Sequence, residues 1–235
     1  MTSVDDTPLF IRSADLIGEA GIERLRSLRV AVFGIGGVGS YTVEALARAG
    51  VGTLYLIDGD TVAPSNINRQ LIAFHSTVGL YKTDAAAARI ADINPACTVH
   101  RLPRRILPEK DGGLDALPFL SCVDFIVDAV DTVSLKAALA AEAETRSIPI
   151  IAAMGCGNKL HADRFEFADI YDTSVCPLCK RMRTLLKKQG VKKLRVLYSR
   201  EQPVVSVRPP ASVSWVPAAA GLLIAGDLLN QALGI

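Results

Sequence analysis

The sequence predicts an α/β fold, Rossmann-like, with a mostly parallel central sheet and a C-terminal extension. Three observations predict it. First, Arg29–Ser40 (RVAVFGIGGVGS) passes from an apolar run into four glycines, Gly34, Gly36, Gly37 and Gly39, and then into a helical pattern. Second, short apolar runs and helical segments alternate as far as Ala152, the pattern of parallel strands joined by crossover helices. Third, several apolar runs empty onto carboxylates, at the strand ends where open α/β sheets bind ligands.

Taken in order, Ser13 precedes an amphipathic helix, ADLIGEAGIERLRS, suited to packing on the sheet. Val30–Phe33 is short, partly β-branched and stopped by glycine, which reads as a buried strand. Tyr41–Ala49 reads as the following helix, ended by Gly50 and Gly52. Strand, glycine turn and helix N-terminus together make G-x-G-x-x-G meaningful. Glycines let the backbone approach a phosphate, and the free N–H groups of a helix start face its charge. Thr53–Ile57 is the second strand. It delivers Asp58, 19 residues after Gly39, where this fold hydrogen-bonds a ribose. Asp60 follows, either as part of the site or as a turn residue. To this point NAD and ATP fit equally.

The polar cluster Ser65–Gln70 comes next, and Lys82 stands 13 residues beyond Arg69 at the start of the helix TDAAAARIADIN. An Arg and a Lys converging on the pocket suit a triphosphate, with arginine able to bind bidentately. Taken singly, both are ordinary surface charges. Cys97–Leu102 reads as a third strand, PRRILPEKDGG as a polar connection, and Asp124–Val130 as a fourth strand emptying at Asp131-Thr132. A carboxylate beside phosphates calls for a divalent cation between them, and Mg²⁺ uses one or two carboxylates plus phosphate oxygens. Asp131 is the Mg²⁺ candidate, and Asp128, inside the strand, is structural. A helix over 133–147, a strand over 148–152, the turn Met154–Asn158 and an alternating strand over 164–170 follow.

Lys180–Arg195 changes the character of the chain. Eight of its sixteen residues are Lys or Arg and none is acidic, which leaves 18 bases against 24 acids elsewhere. A polyanionic partner is the sharp reading, because phosphate neutralisation drives nucleic-acid affinity. A solvated helix face followed by a strand, LRVLYS, is the plain one. Val216–Gly226 begins a helix of small apolar residues, suited to packing on the sheet or on a second subunit.

Composition bounds the rest. With 235 residues and 50% hydrophobic content the chain builds a substantial core. The N-terminus, MTSVDDTPLF, lacks the basic n-region of a signal peptide. The apolar stretch Val216–Gly226 stops at Asp227, short of the ~20 residues that span a bilayer. Five cysteines without an export signal suit a cytoplasmic, reduced protein. Cys176-Pro177-Leu178-Cys179 has no second C-x-x-C, and His75, His100 and His161 are scattered, so no structural zinc is expected. A redox C-x-x-C belongs at a helix N-terminus just after a first strand, which is not this context. Cys176 remains a candidate reactive thiol at a helix start, near Lys180 and Arg181.

GIGGVGS, LIDGD, SNINRQ, VGLYK and VDAVDT, in that order, resemble the ubiquitin-activating-like (ThiF-type) adenylyltransferases, which adenylate a carboxylate. The resemblance implies one ATP-binding domain over 1–235. Its nucleotide core is about 28–153, and a basic, dimer- and substrate-binding part is about 154–235. Gly34, Gly36 and Gly39 would line the phosphates, with Gly37 beside them. Asp58 would hold the ribose, with Asp60 at the same site. Asn66, Arg69 and Lys82 would contact the phosphates, and Asp131 matches the metal-site aspartate. Arg69, Lys82 and Asp131 are then the catalytic candidates, with ATP and Mg²⁺ as cofactors and a monovalent cation left open.

LIGEAGIERL, GVGSYTVEALARAGVG, MGCGNKLHADRFEFADIYDTSVCPLCKRMR and KKLRVLYSREQP are similar to the tRNA threonylcarbamoyladenosine dehydratases, over about Arg12–Gly234. That implies adenylation of the threonyl carboxylate of the modified adenosine and its cyclisation. It also implies tRNA as partner of Lys180–Arg195, a homodimer, and no membrane. Cys179 stands where a small non-cysteine residue is expected, and the Gln202–Ser212 connection is short for the family. Arg12 is a candidate for reaching a partner subunit's phosphates. The rivals are activation of a ubiquitin-like sulfur carrier with a sulfur-relay partner, an NAD-dependent oxidoreductase, and a non-catalytic RNA-binding protein.

Overall fold

A computed structural model describes residues 9–108 and 113–235. The N-terminal MTSVDDTP and four residues of the PRRILPEKDGG connection lie outside the described residues. Seven strands form one sheet: β1 (Arg29–Phe33), β2 (Thr53–Ile57), β3 (Thr98–Leu102), β4 (Phe125–Asp128), β5 (Ile150–Ala153), β6 (Phe165–Asp169) and β7 (Arg195–Ser199). Their spatial order is β3-β2-β1-β4-β5-β7-β6, all parallel except β6, which runs antiparallel to β7 at the edge. The chain therefore winds outward from β1 to β3, then returns to β4 on the other side of β1. That reversal opens a crevice between the carboxyl ends of β1 and β4.

Alternating side chains give the central strands two buried faces, whereas the edge strands β3 and β6 stay partly exposed. Val30, Val32, Leu54 and Leu56 enter one core, with Val43 and Leu46 of α2 (Gly39–Arg48), Ala86 and Ile90 of α3 (Lys82–Ile93), and Ile224 and Leu228 of α6 (Trp215–Leu233). Ala31, Phe33 and Ile126 enter the opposite core with Leu135 and Leu139 of α4 (Val133–Arg146). Ala152, Val196 and Tyr198 pack under Met182 and Leu186 of α5 (Pro177–Gln189). Sheets covered on both faces are the home of parallel strands.

Helix boundaries shift in three places. The leading helix, α1 (Ile11–Ser27), begins before Ser13, gains no side-chain cap, and breaks its helical geometry at Gly18, whose φ is 74°. Helix α2 starts at Gly39 rather than Tyr41, so the glycine turn runs straight into it. Helix α6 continues through Asp227 to Leu233, because Asp227 leaves the apolar stripe to pair with Arg195 of β7 at 2.5 Å. Its 19 residues are long and apolar enough to cross a membrane by length and composition. Here its buried side, from Val216 to Ala232, packs as a core helix.

Candidate nucleotide and acceptor site

The carboxyl ends of β1, β2, β4 and β5 converge on one cavity of about 860 Å³. At its floor, Gly34 takes φ 88°, and a Cβ there would lie 2.6 Å from the Ala129 carbonyl oxygen. Only glycine lets the β1 and β4 loops approach this closely. Gly36 and Gly37 line the cavity as expected. Gly39 corrects its reading: it is not a lining residue. It is buried at the start of α2, where a Cβ would meet the Gly34 carbonyl oxygen at 1.8 Å. Its role is to close the turn.

Asp58 fixes the glycine loop. Its Oδ2 accepts from the Ile35 N–H at 2.7 Å and its Oδ1 from the Asp60 N–H at 2.8 Å. Two N–H donors orient the carboxylate and leave further lone pairs for a ligand hydroxyl. Lys82 is buried, with its Nζ 3.0 Å from Asp60 Oδ2 and 3.8 Å from Asp58 Oδ2. Arg105 closes the group, donating to Asp60 Oδ1 at 2.7 Å. Burial raises the Asp60 carboxyl, but the hydrogen bonds from Arg105 and Lys82 outweigh it and hold the group below its ordinary value. A lowered carboxylate stabilises the fold above its unfolded pKa, near 4, and loses that contribution as pH falls through the folded value. Asp60 is partly exposed, so solvent screening limits the effect. Asp60→Asn is expected to cost at most about 1 kcal/mol at pH 7 and nothing at pH 2. Urea unfolding at the two pH values measures it, and an equal cost at both would exclude the charge pairing as its cause.

Asn66 and Arg69 reach the cavity from the loop after β2. Asn66 Oδ1 accepts from the Ala63 N–H at 3.0 Å, and Arg69 donates to the Ser65 carbonyl at 2.8 Å. Arg69 also donates to Asn68 Oδ1 at 3.0 Å through the same Nη1, so each residue shapes its own turn while the rest of the guanidinium and the amide N–H groups stay free. Asp131 and Thr132 project from the end of β4, exposed, with Thr132 Oγ1 donating to Asp131 Oδ1 at 3.4 Å. An exposed carboxylate among Arg69, Lys82 and Arg105 fits one divalent cation shared with phosphates. Among the described residues, no group of three or more His, Cys, Asp or Glu converges to make a protein-only cage. Arg12 is exposed on α1 and does not line its own chain's cavity.

Four contributors, Arg104, Arg105, Lys136 and Lys159, belong to no motif in the sequence. Arg104 and Arg105 line the cavity although their segment reads as a connection; their place directly after β3 is the signal. Lys136 lies fully buried under the β4 end, its Nζ 3.0 Å from Asp128 Oδ2, an ion pair without an aligned hydrogen bond. It also donates to the Val130 carbonyl at 3.3 Å. Lys159, in the turn after β5, lines the cavity and is buried, donating to the Ser199 carbonyl at 3.2 Å. Cys176 precedes the first turn of α5 and also lines the cavity. Lys159 is the cation that acts on it electrostatically, whereas Lys180 and Arg181 are exposed. A Lys inside an apolar helix face (SLKAALAA) is the only sequence mark of Lys136.

Not every base of Lys180–Arg195 faces solvent. Arg183 turns inward to the Thr173 carbonyl at 3.0 Å, and Arg195 pairs with Asp227. Lys180, Arg181, Lys187, Lys188, Lys192 and Lys193 are exposed.

The doubly wound sheet, the glycine turn and the acid after β2 define a Rossmann-like nucleotide-binding protein. A model of the ThiF family matches residues 10–235, and the chain belongs to that family. It is 42% identical over 248 aligned positions to the tRNA threonylcarbamoyladenosine dehydratase of Bacillus subtilis, covering 95% of this chain and 94% of that one. The Escherichia coli tRNA N6-threonylcarbamoyladenosine dehydratase in complex with AMP superposes with a TM-score of 0.92 at 31% identity. That match covers 100% of this chain and 97% of the other. The same enzyme in complex with ATP gives a TM-score of 0.89 at 30% identity, with the same coverage.

Proposed function

We propose that this chain catalyses the ATP-dependent dehydration of threonylcarbamoyladenosine in tRNA. It adenylates the threonyl carboxylate, and the activated side chain cyclises with loss of AMP. The observation that carries the reading is the match to the B. subtilis dehydratase along 95% of the chain. The cavity is in keeping with it. Along the sheet, β2, β1, β4 and β5 present Asp58, the glycine loop, Asp131 and Lys159 in that order. Parallel strands lie ~4.8 Å apart, so the row spans roughly 14 Å, enough for a ribose, its phosphates and an acceptor carboxylate side by side.

ATP supplies the activated phosphoryl group, and Mg²⁺ would be held by Asp131 and lower the repulsion between two anions. The residues of this chain do the positioning. Asp58 orients the ribose and the glycine loop together. Arg69 and Lys82 neutralise the phosphates as the carboxylate approaches. Arg105, through Asp60, keeps Lys82 aimed along the wall. Positioning and charge neutralisation are sufficient contributions for this chemistry, and ring closure is intramolecular, so no protein nucleophile is needed. The chain acts as one domain, with a nucleotide core over about 28–153 and an acceptor and basic part over about 154–235. Tyr198 and the exposed Leu222 and Leu223 of α6 belong to that second part, and a homodimer across α6 and a cytoplasmic setting complete the proposal.

AMP release from labelled ATP with Mg²⁺ tests the reaction. AMP is expected only with threonylcarbamoyl-modified tRNA, accompanied by loss of water from the nucleoside. AMP–carrier adduct in the absence of RNA would instead establish activation of a sulfur carrier. The basic face of α5 and the turn that follows it has its own test. Replacing Lys187, Lys188 and Lys192 by Ala is expected to weaken tRNA binding and to reduce the slope of log affinity against log salt by about 2–3, since each phosphate left without its lysine takes away about 0.7–0.9. An unchanged salt slope would take tRNA off this face.

A further inference from the structure

Cys176 and Cys179 have no part in the proposed reaction, yet the fold builds an environment around them. Val175 holds φ 59°, a left-handed conformation that a β-branched residue adopts only where its surroundings impose it. The turn delivers Cys176 to the N-cap position of α5, with its N–H on the Ser174 carbonyl at 2.5 Å. Its sulfur lies against Gly155, where a Cβ would stand 3.5 Å away. Cys179 follows three residues later in the first turn of α5 and is buried. Lys159, buried in the same wall, forms no ion pair with a carboxylate among the described residues, and its positive charge acts on the Cys176 sulfur.

We infer that Cys176 and Cys179 are a reactive dithiol facing the cavity. Cys176 is the thiol that meets a low-molecular-weight disulfide, and Cys179 resolves the adduct. Residues three apart on a helix stack with Cβ atoms about 5–6 Å apart, and a small closure brings them to disulfide distance. Access is ordered by burial. Cys176 lines the cavity, while Cys179 is fully buried and does not line it. The chemistry balances in two exchanges. The Cys176 thiolate attacks one sulfur of the incoming disulfide, forming a mixed disulfide and expelling one thiolate. The Cys179 thiol then gives up its proton and attacks the Cys176 sulfur, expelling the second thiolate and closing the intramolecular bond. Two protein thiols are oxidised and the reagent's disulfide is reduced to two thiols. Closure replaces the thiolate beside Lys159 by a neutral disulfide.

The other cysteines contrast with this pair. Burial pushes Cys97 up to about 11 and Cys156 up to about 12. The Cys179 thiol, with the backbone N–H groups of Cys179 and Gly155 and with Lys159, outweighs burial and lowers Cys176 to about 5. Cys179 moves the other way, raised by the bond it donates.

The probe is 4,4′-dithiodipyridine with the full-length chain at pH 7, followed by stopped-flow release of pyridinethione and by disulfide mapping. The wild type is expected to release two thiones in a phase at least tenfold faster than any other thiol, leaving a Cys176–Cys179 disulfide and no pyridyl adduct. Cys179→Ser, and Cys179→Ala as a second variant, should release one thione in that phase and keep the adduct on Cys176. Cys176→Ser should lose the phase. The inference fails if Cys97 or Cys122 reacts first in the wild type, if the fast phase survives in Cys176→Ser, or if mapping finds the mixed disulfide unresolved. None of these readings depends on ATP or tRNA turnover.

Discussion

Asp131→Ala is expected to fold as the wild type does and to lose AMP-forming turnover by roughly 10²–10³-fold, the scale of removing one group that stabilises developing charge. The fold should not notice the change, because Asp131 is exposed and its hydrogen bond within the described residues is to Thr132, across 3.4 Å. The loop that carries it is fixed by other bonds. The Ala129 N–H bonds to the Phe33 carbonyl at 2.8 Å, and the Val130 N–H bonds to Asp128 Oδ1 at 3.2 Å. Turnover should suffer, because Asp131 is the carboxylate placed between the glycine loop of β1 and Lys159 after β5 in the cavity wall. Asp131→Asn sharpens the test: it keeps the shape and removes the charge, so it should lose nearly as much. Rate measurements with matched thermal unfolding separate the outcomes. Wild-type turnover in a folded Asp131→Ala protein would falsify the metal role.

Lys136→Met is expected to destabilise the protein by about 3–5 kcal/mol, the cost of leaving one member of a buried ion pair alone. Lys136 and Asp128 are both fully buried. Burial already pushes the Asp128 carboxyl up, against the opposing pull of Lys136. Without the ammonium that pull vanishes, and the Val130 carbonyl also loses its donor. Replacing both members, Asp128→Asn with Lys136→Met, should recover most of the loss, since neutral buried replacements avoid the desolvation of two charges. A double-mutant cycle by urea unfolding measures the coupling. Acid should relieve the single variant. Its penalty arises from a carboxylate whose folded pKa is raised, so it is full above that raised value and shrinks as pH falls toward the ordinary carboxylate value near 4. Independent, additive losses in the cycle would mean that the two charges do not stabilise one another.

The pair also bears on turnover. Lys136 ties the backbone at Val130, one residue before Asp131, to the interior of α4. The two variants therefore probe the same carboxyl end of β4 from its two sides, Asp131→Ala from the exposed loop and Lys136→Met from the interior.

Features that depend on neighbours along the chain were legible in the sequence. The glycine run had to be a turn between a strand and a helix, because its residue types, spacing and flanking apolar runs all act within twelve residues. Asp58, Asp131 and the order of strands and helices followed from the same local periodicity. So did the parallel sheet, since each crossover needs a helix of sufficient length. Asn66 and Arg69 stood out as members of a polar cluster placed after a strand end, and Lys82 as a cation at the start of the next helix.

Which of these side chains meet is settled only by the folded chain. Asp60 joins Lys82 and Arg105 across 22 and 45 residues of sequence, and Asp58 seizes the Ile35 N–H across 23. Such partners are chosen by strand order and by the depth of the crevice, which no local pattern carries. The same holds for Gly39, which packs on a carbonyl instead of lining the cavity, for Arg183, which turns inward to the Thr173 carbonyl, and for Arg195, which stays exposed but pairs with Asp227. Lys136 and Lys159 carry no motif in the chain, and Lys136 shows only as a charge within an apolar helix face. They become buried only because β4 and β5 bring carbonyls, a carboxylate and a thiol close enough to hold a charge away from water.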